Sequence, residues 1–179
     1  MTYEIRKLDE SYKGKELDFF YISEYYYDIQ KTYYEESINF RFTKKHFSTP
    51  IEKRFKTTLM EEHFDDPFLY GMFYKEKVIA YLEMVYEKWN NRMRITNILV
   101  EHDFRHKGIG KLLMDKAYEI SKNHGARAIV LETQSCNFPA ISFYKALEFK
   151  IVGFDLQAYS NEDVDRLEVR LELGKIIKN

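Results

Sequence analysis

The chain has 179 residues, 45% of them hydrophobic and 32% charged, which is the size and composition of one ordinary globular domain. A formal net charge of −1 gives no basic footprint for nucleic acid, and no apolar run approaches the roughly 18 to 20 residues of a membrane span. The single cysteine, Cys136, excludes an internal disulfide and a cysteine-based zinc site, and no metal is expected.

MTYEIRKLDE at the start of the chain has no apolar core of a signal peptide, so the expected location is the cytoplasm. Residues 2–8 alternate as a short strand, with Tyr3 and Ile5 against Glu4 and Arg6. An aromatic stretch from Leu17 to Phe42 follows Gly14. Its Phe20, Ile22, Tyr26, Ile29, Tyr33 and Tyr34 are read as one helix over about 16–34. Ser48 or Thr49 before Pro50 reads as the start of a second helix, running to about His63 and ended by Asp65-Asp66-Pro67.

Phe68–Tyr74 and Val78–Glu87 are β-rich runs joined at hairpin length, and Arg92–Val100 follows a turn at Trp89-Asn90-Asn91. A helix is expected after the glycines at 108 and 110, with Ile109, Leu112, Leu113, Ala117 and Ile120 on one face and Gly125 as its left-handed end. Ala126–Thr133 reads as a buried parallel strand. Asn137 is a plausible N-cap for a helix that tolerates Pro139 in its first turn. Phe149–Phe154 and Leu167–Leu173 are the last two strands. The order β α α β β β α β α β β, without repeats or linkers, predicts a single domain over 1–179. Its fold is α/β in the broad sense (α+β). A mixed, mostly antiparallel sheet carries a parallel pair, and helices lie on both faces.

The organising stretch is Val100–Ser121, in which Arg105-His106-Lys107-Gly108-Ile109-Gly110 joins a strand to a helix. Glycines there let the backbone approach a ligand, and the unpaired N–H groups of the helix start favour an anion. Arg105, His106, Lys107 and Lys111 add positive charge, so the turn reads as a seat for a diphosphate. The spacing is neither that of a P-loop nor that of a dinucleotide fingerprint, since the third glycine position of the latter is Leu113.

R-x-x-G-x-G at Arg105–Gly110 resembles the pyrophosphate loop of the GCN5-related N-acetyltransferases. Asn137-x-x-Ala140 with Phe143-Tyr144 and Phe149 resembles a second motif of that family. The resemblance covers about residues 65–160. Lys88–Asn91, Leu131–Gln134 and Gly153-Phe154-Asp155 are similar to the streptothricin acetyltransferase branch, which acetylates the β-lysine amine of an antibiotic. Two departures stand out. Thr96-Asn97 replaces an acidic pair, and the last strand is the charged stretch Arg166–Leu173. Glu148 stands where the family commonly has Gly or Asn.

The resemblance implies a sheet that splays open between the two strands of the parallel pair, and a direct transfer from acetyl-CoA to a primary amine of a small cationic molecule. It assigns the cofactor to Ile98, Leu99, Val100, Arg105, His106, Lys107, Gly108, Ile109, Gly110 and Lys111, with a main-chain N–H near Ile98–Val100 as oxyanion donor. Asn137 either bonds the pantetheine arm or caps its helix. Tyr144 is the implied general acid. For the base, Glu132 is the first choice, Glu83 the second, and a water chain the third. Cys136 reads as a small buried thiol. The alternatives are acetylation of a peptide or protein amine and an inactive acyl-CoA-binding sensor. Dimers are common in the family, and the aromatic N-terminal half could supply an interface. Neither a nucleic acid nor a membrane is an expected partner.

Overall fold

A computed structural model describes residues 2–178 of the chain. Nine strands and two α-helices are present among them: β1 (Glu4–Lys7), β2 (Glu16–Tyr33), β3 (Ile38–Thr58), β4 (Phe68–Tyr74), β5 (Lys77–Glu87), β6 (Arg92–Val100), α1 (Ile109–Asn123), β7 (Ala128–Gln134), α2 (Phe138–Ala146), β8 (Lys150–Asp155) and β9 (Arg170–Ile176). Seven strands take the order β1-β4-β5-β6-β7-β9-β8, and β2 and β3 pair as a separate two-stranded ribbon. The ladders β1/β4, β4/β5, β5/β6 and β8/β9 are antiparallel, and β6/β7 is parallel. The mixed, mostly antiparallel sheet with one parallel pair is therefore as expected.

Two compact units divide the chain. The first comprises Met1–Phe19, Phe55–Leu131 and Lys175–Asn179, and the second Phe20–Arg54 and Glu132–Gly174. In the first unit Leu8, Leu17, Leu59, Leu69, Tyr81 and Leu99 form a buried cluster, with Tyr12, Phe19, Met60, Phe73 and Val78 packed against it. Each fully buried aliphatic side chain of this kind contributes about 1.5–3 kcal/mol relative to exposure. Helix α1 turns Ile109, Leu113, Met114, Ala117 and Ile120 inward, whereas Leu112 of the expected apolar face is exposed. In the second unit Tyr21, Ile29, Cys136, Ile141, Tyr144, Phe149, Leu171 and Leu173 are buried.

The two helices expected before residue 64 are not formed. Strand β2 covers the first, and odd positions Leu17, Phe19, Tyr21, Ser23, Tyr25, Tyr27 and Ile29 are its more buried side. That is the two-residue period of a strand. Phe20, Ile22 and Tyr26 on the other side obscured it by supplying helical spacings. Strand β3 runs through Pro50, which had marked a helix start. A two-stranded ribbon is all edge, and an edge strand tolerates a residue that cannot donate a ladder hydrogen bond. The chain reverses between the strands through a turn closed by Tyr34 N–H to Ser37 O at 2.8 Å. Aromatic rings line the ribbon. Tyr25 meets His46 at 4.7 Å and Phe138 at 5.3 Å, and Phe40 and Phe42 meet Phe154 at 4.8 and 5.2 Å.

Candidate active site

The strand-to-helix turn is built as the glycines suggest. Strand β6 ends at Val100, and a short 3-10 turn at His102–Phe104 leads into the loop. His106 and Gly108 both adopt left-handed backbone, φ 59° and 80°. A Cβ added to Gly108 would meet nothing within 4 Å, so its backbone faces open space. Gly108 is also the N-cap of α1, and the first intrahelical bond runs from Leu112 N–H to Gly108 O at 3.1 Å. The amides of Ile109, Gly110 and Lys111 therefore precede the helical ladder and present donors at the positive end of the helix. These features fit an anionic diphosphate.

The positive side chains of the loop are tied down in different ways. Arg105 Nε donates to Val100 O at 3.0 Å, which clamps the loop to the end of β6. Burial lowers the pKa of its guanidinium, against the opposing effect of the Glu101 charge. Lys107 Nζ donates to Asp103 O at 2.7 Å, and Lys111 pairs with Asp115 at 2.7 Å on the next turn. His106 is exposed.

The ladder between β6 and β7 extends from Arg92/Ala128 to Ile95/Leu131, while β6 itself continues to Val100. Ile98, Leu99 and Val100 keep their pairing with β5, opposite Leu82, Tyr81 and Ala80. Glu83 lies on β5 in the same unit, with no exposed surface. Its Oε1 accepts from Met60 N–H at 2.5 Å, and its Oε2 accepts from the Thr96 hydroxyl and the Asn97 amide, both at 2.7 Å. Thr57 Oγ1 in turn donates to Asn97 Oδ1 at 2.7 Å. Glu83 is thus enclosed rather than solvated; its bonds to Met60, Thr96 and Asn97, and the support of Asn97 by Thr57, were not foreseen from the sequence. One signal was present: counting back from the turn at 88–91 sets Glu83 opposite Thr96, and the register shift between Glu83 and Met84 moves that pairing on to Asn97.

The other site residues lie in the second unit. Asn137 caps α2, its Oδ1 accepting from Ala140 N–H at 3.3 Å, with Pro139 in the first turn. Tyr144 is buried on α2 against Phe143 and Phe149, at ring distances of 5.2 and 5.9 Å. Burial raises its phenol pKa well above the ordinary value, so the group carries its proton at neutral pH. Glu132 is exposed near the end of β7, with Arg170 at 3.6 Å, and Arg170 also reaches Asp155 at 3.5 Å. Cys136 is fully buried, 3.3 Å from the Tyr21 hydroxyl, and burial raises its thiol pKa. That is the inert thiol expected.

Comparison with known proteins decides the family. The model of the acetyltransferase (GNAT) family matches residues 22–149. The chain belongs to the GNAT acetyltransferase family. Streptothricin acetyltransferase A of Bacillus subtilis (strain 168) is 34% identical over 130 residues, which span 73% of this chain and 71% of that protein. Streptothricin acetyltransferase of Escherichia coli is 32% identical over 95 residues, covering 53% and 54%. Among solved structures, nourseothricin acetyltransferase superposes with a TM-score of 0.78 at 21% identity, over 99% of this chain and 100% of that one. A candidate streptothricin acetyltransferase from Bacillus anthracis str. Ames, in complex with acetyl coenzyme A, gives 0.75 at 22% identity over 99% of both chains. At those identities the two structures establish the GNAT fold. As a member of this family the protein is an acyltransferase that uses acetyl-CoA as co-substrate.

Proposed function

We propose that this GNAT enzyme acetylates a primary amine of a small cationic molecule, with the β-lysine amine of streptothricin as the leading acceptor. The observation that carries the acceptor is the 34% identity to the Bacillus subtilis streptothricin enzyme across 73% of the chain. Acetyl-CoA brings the activated acetyl group and departs as the CoA thiol. The amides of Ile109, Gly110 and Lys111, the Gly108 backbone and the side chains of Arg105, His106 and Lys107 would hold its diphosphate. The β6 residues Ile98, Leu99 and Val100 would bind its pantetheine arm, and an amide there would face the developing oxyanion. Asn137, beyond capping α2, is assigned a hydrogen bond to the same arm.

Tyr144 is assigned the proton that the leaving sulfur receives. Burial supports that role by keeping the phenol protonated. Glu132 is assigned the proton of the amine. It is exposed and able to attract a cation, and its ion pair with Arg170, at 3.6 Å, is long.

The test is thiol release from acetyl-CoA against streptothricin, free lysine, polyamines and short peptides, with Tyr144→Phe beside the wild type. Fast turnover with streptothricin is expected, with kcat of Tyr144→Phe lower by about 100-fold and KM for acetyl-CoA little changed. Turnover with peptides alone would overturn the acceptor. An unchanged kcat in Tyr144→Phe would remove Tyr144 from the reaction.

A further inference from the structure

The environment of Glu83 depends on an irregularity in β6. The β5/β6 ladder pairs Glu83 with Asn97 and Met84 with Ile95, so Thr96 is an extra residue, the bulge of the pair. In a regular strand two consecutive side chains point to opposite faces of the sheet. Here Thr96 and Asn97 are consecutive, yet both donate to Oε2 of Glu83 at 2.7 Å. The bulge makes that convergence possible, and the carboxylate in turn gives the bulged residue a partner. The Thr57 hydroxyl occupies Asn97 Oδ1, which fixes the amide with its donor side toward Glu83. Oε1 meanwhile holds Met60 N–H at 2.5 Å, at a residue whose φ of 55° lies in the left-handed region.

The position of the bulge along β6 is informative. The parallel ladder to β7 ends at Ile95, and the bulge is the next residue. Beyond it, Ile98–Val100 follow the β5 register alone as far as Val100 opposite Ala80. Burying a carboxylate with no exposed surface is costly, and a well-packed apolar side chain of similar volume would satisfy stability better. Both oxygens of Glu83 are engaged by neutral donors, an arrangement suited to holding backbone rather than to receiving a proton from an external amine.

We propose that Glu83 is a positioning residue for acetyl transfer. It anchors the bulge at Thr96 and the turn at Met60, and so sets the direction in which the Ile98–Val100 amides face the acetyl donor. The inference rests on the assignment of β6 and the 105–111 loop to acetyl-CoA made above. It moves Glu83 from the list of proton acceptors to the support of the β6 edge.

The test uses the full-length enzyme, with acetyl-CoA affinity by calorimetry and steady-state thiol release from pH 6 to 9 with whichever amine the wild type turns over. Glu83→Gln keeps the volume but presents an N–H to donors that need an acceptor. Thr96→Val removes one donor from a half-buried site. For Glu83→Gln the expected result is a rise of about 10- to 100-fold in Kd and KM for acetyl-CoA, with the inflections of the pH–rate profile kept. Thr96→Val should shift in the same direction by less. Loss of an inflection in Glu83→Gln with acetyl-CoA affinity unchanged would make Glu83 a proton acceptor and overturn the proposal. So would wild-type constants in both variants. If Glu83→Gln does not fold, Thr96→Val decides by the same constants. Absence of acetyl-CoA binding by the wild type would instead overturn the assignment on which the proposal rests.

Discussion

Glu148 shows what a single backbone angle can do. It follows α2 with φ 67°, in the left-handed region that a side chain disfavours by about 1–2 kcal/mol. Three bonds define the turn: Leu147 N–H and Phe149 N–H to Tyr144 O, and Glu148 N–H to Lys145 O, each at 3.0 Å. The family commonly has Gly or Asn there, and the angle supplies the reason. Glu148→Gly should therefore raise stability by about 0.5–1 kcal/mol after the greater freedom of glycine in the unfolded chain is subtracted. For a chain of this size, about 2–4 °C in Tm per kcal/mol makes the change measurable by thermal unfolding. A lowered Tm would show that the glutamate side chain contributes more than its backbone costs. The residue stood out in the sequence as a departure, but nothing in the one-dimensional pattern gave the sign of its φ.

At the scale of elements, the β5–β6 hairpin carries an ion-pair network at its closed end. Glu87 accepts from Arg94 Nε at 2.5 Å, Arg92 Nε at 3.1 Å and Asn90 Nδ2 at 2.9 Å. Burial acts to raise the carboxyl pKa, but the Arg94 and Asn90 hydrogen bonds and the two arginine charges outweigh it and hold it below the ordinary 4.5. A group whose folded pKa is depressed contributes stability above its unfolded pKa, and loses it as pH falls through the folded value. Glu87→Gln should thus cost about 1–2 kcal/mol at pH 7 by urea unfolding, and the gap to wild type should close as pH drops below 4.5. A gap independent of pH would mean that the network acts through packing alone.

The hairpin was legible in the sequence because its signals are local: a β-rich run on each side, alternating in β6, and an Asn-Asn turn, with Asn91 at φ 54°. The ribbon β2–β3 was not. Its aromatic side chains face both ways, and most of what stabilises them is distant in sequence, as with Phe154 against Phe40 and Phe42. A two-stranded ribbon is marginal without such cover, which no local window contains.

At the scale of the whole molecule, the family makes acetyl-CoA the ligand whose binding is coupled to folding. A ligand that binds only the native state adds RT ln(1 + [L]/Kd), about 2.7 kcal/mol at 100 times Kd. Acetyl-CoA at that excess should raise Tm by about 5–10 °C. Replacing Gly108 by Val should remove most of the shift, because a branched side chain resists φ 80° and would fill the open space over the loop. An undiminished shift in that variant would place the cofactor elsewhere. The sequence by itself determined the 68–100 strands, the glycine turn into α1, the Asn137 cap and the family. Each depends on neighbours a few residues apart or on a motif of fixed spacing. The tertiary structure alone decided that residues 16–58 are strands, and that Glu83 is enclosed by Met60, Thr96 and Asn97. Those outcomes depend on which distant side chains cover a ribbon and on one extra residue in a ladder. A bulge shifts the pairing of every residue beyond it by one, and only the paired partner strand shows where it falls.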